Sequence, residues 1–351
     1  METGSGQQPH KRRKRYSGKY PRAFDEKYKE HNPEKYSGDI EKIIESGKTP
    51  AGMHIPICVD EILEILDIKP GETGMDATLG YGGHTAKMLE KLGGSGHIYA
   101  TDLDPIESAK TTERLRKKGY GEDLLTVRHM NFSEIDKVPL KGEKFDFVLA
   151  DLGVSSMQID NPERGFTFKH DGPLDLRLDP TCGETAAQRL SKMERDEIEG
   201  MLEENADEPY AFEIANEIYS AGQNGRWPET TGQLRKIVSA ALSFLPKRDR
   251  EEAVKKSCQR TFQALRIDVN SEYESLYAFL EKLPCALARG GRVAILTFHS
   301  GEDRLVKAAF KQGLKDGVYS DAAREVIRPT PQECRKNPRA RSAKLRWAVK
   351  A

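Results

Sequence analysis

The sequence predicts an α/β fold in which an open, mostly parallel sheet is interrupted by a mainly helical insertion. Three observations carry that expectation. Short apolar runs alternate with helix-length patterns over residues 58–154, and again from residue 257, which is the rhythm of βαβ units. One of these runs, Met75-Asp76-Ala77-Thr78-Leu79-Gly80-Tyr81-Gly82-Gly83-His84, passes from strand to glycine loop to helix. Glycine has no Cβ and takes positive φ freely, so a ligand can lie against the backbone there. Over residues 155–256 the alternation gives way to loop and helical patterns with charged faces.

Taken in order, residues 1–39 form a basic arm rich in Lys, Arg, Tyr, Pro and Gly. The arm lacks the apolar periodicity that would offset the entropy of ordering, so disorder is expected. Its tyrosines among cations suit base stacking and phosphate neutralisation; a merely solubilising arm accounts for them equally well. Residues 40–154 and 257–351 are assigned to one α/β domain, and residues 155–256 to the insertion. Two short helical patterns over 40–66 flank a loop with Pro50, Gly52, His54 and Pro56. Strands are expected at Met75-Asp76 and over 97–102, 124–130 and 144–149, with helices from the glycine loop through Leu92 and over 105–118. A helix over 262–287, a strand over 292–298, a helix over 302–313 and a last strand over 344–349 complete the sheet. In such a sheet ligands collect at the carboxyl ends of the strands. Gly80, Asp102 and Asp151 all fall at such ends, so one crevice is expected to hold all three.

At 351 residues the chain can bury a substantial core. Lys plus Arg total 56 and Asp plus Glu total 56, so net charge selects no partner. The distribution says more: residues 11–15 and 335–346 are basic, whereas 194–217 carry ten acidic side chains and one Arg. Segregation of this kind suits an anionic partner held at one face, and solvated helix faces explain it as well. With no run of 18 apolar residues and no apolar signal segment, a soluble, cytoplasmic protein without membrane spans is expected. The five cysteines show no C-x-x-C pair and no metal-ligand spacing, so reduced thiols and no metal centre are expected.

The glycine loop admits two readings. A dinucleotide fingerprint wants a third glycine where this chain has Thr85. The spacing D-x-x-x-G-x-G from Asp76 to Gly82 instead resembles the first motif of class I S-adenosylmethionine-dependent methyltransferases. In that Rossmann-like sheet an acidic residue ending the second strand binds the ribose hydroxyls. Asp102 stands at that place, and a carboxylate can accept two hydrogen bonds at once. A tight turn and a helix cap would explain the same residues without a ligand.

Longer words narrow the choice. Asp151-Leu152-Gly153-Val154-Ser155-Ser156, Arg164-Gly165-Phe166-Thr167-Phe168 and the stretch from Asp171 to Asp179 come first. The stretches from Thr261 to Asn270, Thr297 to Arg304 and Asn337 to Arg346 follow. In this order, over about residues 54–350, they resemble the 16S ribosomal RNA cytosine-N4 methyltransferase family. The resemblance implies methyl transfer from S-adenosylmethionine to the exocyclic amine of a cytidine in the decoding region, with the small ribosomal subunit as partner. The oligomeric state, a homodimer included, stays open. The chain departs from the family at Gly301, where Leu is usual, at His54-Ile55-Pro56-Ile57-Cys58, where His-Thr-Thr/Ser-Val-Leu is usual, and in its basic arm.

Carried over position by position, the donor contacts are Gly82, Gly83, His84, Asp102, Phe132, Asp151 and Gln158; Asp76 and Gly80 join them through the glycine-loop motif. Phe132 suits packing against the adenine, or simple core filling. Cytosine N4 is a poor nucleophile because its lone pair is delocalised, so the site must hold it in line with the methyl–sulfur bond and take up its proton. Asp151 is the first candidate acceptor. His299 is the second, as acceptor or positioning group, and a hydrogen-bonded structural histidine fits equally. For RNA, Arg164, Arg177 and Arg266 could hold phosphates, or pair internally with Asp171, Asp175 and Asp268. Phe166 and Phe168 could stack on an unstacked base, with core packing as the alternative for one of the two. Arg339 and Arg341 lie in the basic segment. The rivals are a nicotinamide-dependent dehydrogenase, an RNA-binding ribosome assembly factor with a degenerate cofactor pocket, and a methyltransferase of a different RNA.

Overall fold

A computed structural model describes residues 56–138 and 144–351. The basic arm, the first helical pattern and His54-Ile55 lie outside the described residues. Strands β1 (Thr73–Asp76), β2 (His97–Asp102), β3 (Leu125–His129), β4 (Phe145–Asp151) and β5 (Leu287–Thr297) are parallel. β7 (Lys344–Lys350) pairs antiparallel with both β5 and β6 (Tyr319–Ala322). Together they form a seven-stranded sheet in the order β3-β2-β1-β4-β5-β7-β6. The chain fills the β2-β3 side of β1 first and then crosses to β4, so its direction reverses at β1. That reversal opens a crevice at the carboxyl ends of the strands.

Helices α1 (Val59–Leu66), α2 (Gly83–Leu92) and α3 (Pro105–Lys117) accompany the first strands. α3 starts where a cap and a proline dictate: Asp104 accepts from the Ile106 and Glu107 backbone N–H groups and Pro105 occupies the first helical position. The insertion contributes α4 (Ser156–Asp160), α5 (Ala186–Leu190), α6 (Arg195–Ala206), α7 (Ala211–Gln223) and α8 (Thr231–Ala241). The helix expected over 262–287 is two helices, α9 (Lys247–Asn270) and α10 (Glu272–Ala286), parted at Ser271 with φ 47°. α9 runs unbroken through residues 256 and 257. Its Cys258, Phe262 and Leu265 belong to the apolar core of the insertion. α11 (Ser300–Lys315) and α12 (Pro331–Lys336) follow β5 and β6.

Two apolar layers sandwich the sheet. Ile98 and Phe147 face one, with Leu66 and Leu92; their neighbours Tyr99 and Val148 face the other, with Phe279 and Leu283. This is the two-residue period of a strand buried on both faces. Gly74 of β1 lies under Phe147, where an added Cβ would come within 2.0 Å of the ring. Gly74→Ala is therefore expected to destabilise the fold by about 1–3 kcal/mol through overpacking. The check is a lowered urea midpoint at unchanged slope; an unshifted midpoint would mean that the ring moves aside freely.

Candidate active site

A cavity of about 710 Å³ opens over the carboxyl ends of β1, β2, β4 and β5, and the insertion forms its other wall. The structure brings Gly80, Gly82, Gly83, His84, Asp102 and Phe132 to this cavity. Asp151, Gln158, Phe166, Arg266, His299 and Arg339 line it too. Asp76, Arg164, Arg177 and Arg341 are absent from the lining.

Asp76 lies behind the glycine loop, 1% exposed, and accepts from the Thr78 backbone N–H at 3.1 Å and the Thr85 hydroxyl at 2.6 Å. Thr85, the residue that spoils the dinucleotide fingerprint, thus ties loop to helix. All three glycines line the cavity, for different local reasons. A Cβ on Gly82 would meet Thr111 at 2.7 Å, and one on Gly83 would meet Pro56 at 3.1 Å, so both are small to let protein approach. Gly80, with φ 48° and nothing nearer to its Cβ position than 3.8 Å, leaves room.

Asp102 holds that loop. Its Oδ2 accepts from the Gly80 N–H at 2.7 Å and its Oδ1 from the Asp104 N–H at 2.8 Å. Each oxygen keeps a second acceptor site. Burial pushes this carboxyl up to about 6 against the pull of the two N–H donors, with Asp104 and Asp76 adding to the rise. Phe132, after β3, meets Phe279 edge-on with centroids 5.2 Å apart and still presents a surface to the cavity.

Asp104, which the sequence reading did not single out, joins the sheet to the insertion. It is 1% exposed; its Oδ1 caps α3 while its Oδ2 accepts from Gln158 Nε2 at 2.9 Å and from Arg164 at 2.7 Å. The other arm of Arg164 donates to the Arg177 and Leu178 carbonyls. Leu176, buried in the wall with φ 65°, is held by the Arg164 carbonyl and by Asn270 Nδ2. A bulky residue in that region costs about 1–2 kcal/mol, which these bonds offset.

Three of the four remaining candidate arginines are engaged. Arg177 forks onto Asp175, one of the pairings considered above. Arg266 pairs with Glu272 at 2.7 and 2.8 Å, whereas Asp268 is taken by Arg189. Arg339 reaches Asp160 at 3.1 Å; Arg341 is exposed. Phe168 packs on Phe262 at 5.5 Å, and Phe166 faces the cavity with the Arg164 guanidinium 5.7 Å from its ring.

At the end of β4, Asp151 Oδ2 lies 3.4 Å from His84 Nδ1, and its Oδ1 is buried without a hydrogen-bond partner. Burial pushes the Asp151 carboxyl up to about 6; His84 opposes the rise, and Asp76 and Glu302 add to it. His299 is otherwise occupied. Its Nδ1 accepts from the Glu302 N–H and caps α11, and its Nε2 stands 3.0 Å from Glu302 Oε1, off the line of a good hydrogen bond. Burial works to raise the Glu302 carboxyl, but the close His299 ring, with Arg266, holds it below the ordinary range. Among the described residues Glu272, His299 and Glu302 are close enough to share a metal ion. The Arg266 fork on Glu272 already balances that charge. The departure at Gly301 has a local cause: a Cβ there would fall 1.8 Å from the Tyr273 hydroxyl.

A doubly wound sheet reversing at β1, with carboxylates at adjacent strand tips, defines a class I methyltransferase. A family model described as the MraW methylase family matches residues 51–351, and the chain belongs to that family. Ribosomal RNA small subunit methyltransferase H 1 of Agathobacter rectalis is 62% identical over 347 residues, 99% of each chain. Its namesake in Lachnoclostridium phytofermentans is 60% identical over 342 residues, covering 97% of this chain and 93% of that one. Ribosomal RNA small subunit methyltransferase H of Thioalkalivibrio sulfidiphilus is 40% identical over 323 residues, covering 86% and 98%. At 99% of this chain, the first match takes in the basic arm.

Proposed function

We propose that the chain methylates N4 of a cytidine in the 16S ribosomal RNA of the small subunit, using S-adenosylmethionine. The observation that carries the reading is the convergence of Gly80, Asp102 and Asp151 on one cavity, with Asp151 Oδ1 left unmet. A buried acceptor without a partner costs about 1–3 kcal/mol, and more when charged. Carboxylates kept from water favour a cationic ligand, so the residues fit this donor. The names of the relatives support the RNA as substrate.

When bound, the donor supplies a methyl carbon activated by positively charged sulfur. Asp102 offers its two spare acceptor sites to a pair of hydroxyls, and Phe132 offers a flat apolar surface for a purine. Gly80, Gly82, Gly83 and His84 form the floor, Asp76 braces that floor from behind, and Gln158 ties α4 to Asp104. Asp151 balances positive charge before transfer and accepts the amine proton after it. With Arg164, Arg177 and Arg339 paired with Asp104, Asp175 and Asp160, the first phosphate contact falls to the exposed Arg341, Arg339 joining it by exchanging its carboxylate for a phosphate, and Phe166 offers its ring for base stacking. Arg266 shapes the substrate wall through Glu272. Such a substrate implies action in the cytoplasm; no helix among the described residues is long and apolar enough to cross a membrane.

Tritiated methyl transfer to isolated small subunits tests the reading, because an assembly factor with a degenerate pocket binds them and transfers nothing. Within it, Asp102→Ala is expected to weaken donor binding roughly 10–100-fold, as two hydrogen bonds to a charged group are lost. Calorimetry with S-adenosylmethionine checks this; undiminished affinity would remove Asp102 from the donor site.

A further inference from the structure

We infer that His84 and Asp151 form a one-proton acceptor, in which His84 is a positioning residue that draws off, through Asp151, the proton shed by the attacking amine. The inference rests on the methyl-transfer reading and goes beyond it, because it assigns the route of the proton.

The geometry fixes the tautomer. His84 Nε2 lies 2.9 Å from the Ile57 carbonyl oxygen, which can only accept, so Nε2 carries a hydrogen. The second nitrogen, Nδ1, faces Asp151 Oδ2 at 3.4 Å. In a neutral ring Nδ1 presents a lone pair to a carboxylate, an unfavourable apposition inside a site where His84 is 8% exposed. One proton placed between them turns the repulsion into a charge-assisted hydrogen bond. The titratable groups facing the pair are Asp76 from β1, Glu302 from the start of α11 and the Cys58 thiol before α1. Two of the three are acidic, so the surroundings favour uptake of a proton.

Charge balance sets the timing. A cation beside Asp151 keeps the pair empty. In the transfer step the N4–carbon bond forms as the carbon–sulfur bond breaks, and the bonding pair stays on sulfur. N4 loses one proton to the Asp151 carboxylate, and Asp151 hands it to His84 Nδ1, leaving an imidazolium paired with a carboxylate. The cation has vanished in the same step, so the bias against a loaded pair is gone. The proton then returns to water.

The test uses His84→Gln, whose amide can still donate to the Ile57 carbonyl but cannot titrate. Single-turnover transfer to small subunits at saturating donor is followed across pH. In the wild type the acid limb marks the pH at which the pair takes up its proton before transfer, and the rate falls about tenfold per pH unit below it. In His84→Gln the rate drops roughly 10–100-fold. Its acid limb moves to lower pH, because the carboxylate alone takes up a proton less readily than the pair that shares one. A slower variant with an unmoved limb would overturn the inference. Nitrogen NMR of the histidines in the ligand-free wild type gives a second reading that needs no variant. Nε2 should carry the hydrogen throughout, and the Nδ1 resonance should shift in Asp151→Asn. An Nδ1–H tautomer would overturn the inference. Absence of transfer by the wild type would sink the methyl-transfer reading instead, with the NMR result standing apart.

Discussion

Asp151→Asn is expected to cut single-turnover methyl transfer by roughly 10²–10⁴-fold while the donor still binds. The amide has the size of the carboxyl, so the cavity keeps its shape and the Asp151 backbone N–H keeps its bond to Thr78 Oγ1 at 2.7 Å. What is lost is the acceptor: an amide carries no charge against the sulfonium and takes no proton from N4. His84 cannot substitute, because its free nitrogen faces Asp151. Asp102→Ala should show the opposite division, with affinity failing before rate. Single-turnover rates at saturating donor, set beside calorimetric affinities, separate the two. A near-wild-type rate in Asp151→Asn would remove it from the chemistry.

The largest loss of stability is expected for Asp104→Ala, about 3–5 kcal/mol for the unpaired buried guanidinium with about 1 kcal/mol more for the lost cap of α3. Arg164 is 11% exposed and Asp104 1%, so water does little to rescue the stranded charge. Gln158 loses a partner at the same time. Urea titration measures the total, and hydrogen exchange over residues 161–179 shows where it falls. That segment hangs on Arg164 and Asn270 and should open first. A loss under about 1 kcal/mol would mean that Asp104 does no more than cap a helix.

The parts of the fold that could be read from the sequence are those with strong local signals. Parallel strands buried on both faces read as unbroken apolar runs, as in Phe147-Val148-Leu149-Ala150, and the glycine loop marks the turn after β1. β6 was not legible, because Tyr319-Ser320-Asp321-Ala322 buries only its two ends. The break at Ser271 was missed for a related reason: a left-handed residue that is not glycine leaves no mark in composition.

The site divides in the same way. The strand-tip residues Gly80, Asp102 and Asp151 were legible from position alone, and the structure gathers them. Partners set by the insertion were not. Asp268 looked available to Arg266, but residues two apart on a helix point to different faces, and the guanidinium reaches Glu272 beyond the break. Asp104 before Pro105 advertises a cap; nothing local announces Arg164, sixty residues on. His299 followed three residues later by Glu302 is capping-box spacing, a signal that bore on its role and was passed over for its place after a strand.

The most direct test is mass spectrometry of nucleosides from the 16S ribosomal RNA of cells lacking this chain. One N4-methylated cytidine should be missing, restored by the wild-type chain and not by Asp151→Asn. Retention of that mark in the absence of the chain, or its full restoration by Asp151→Asn, would contradict the account.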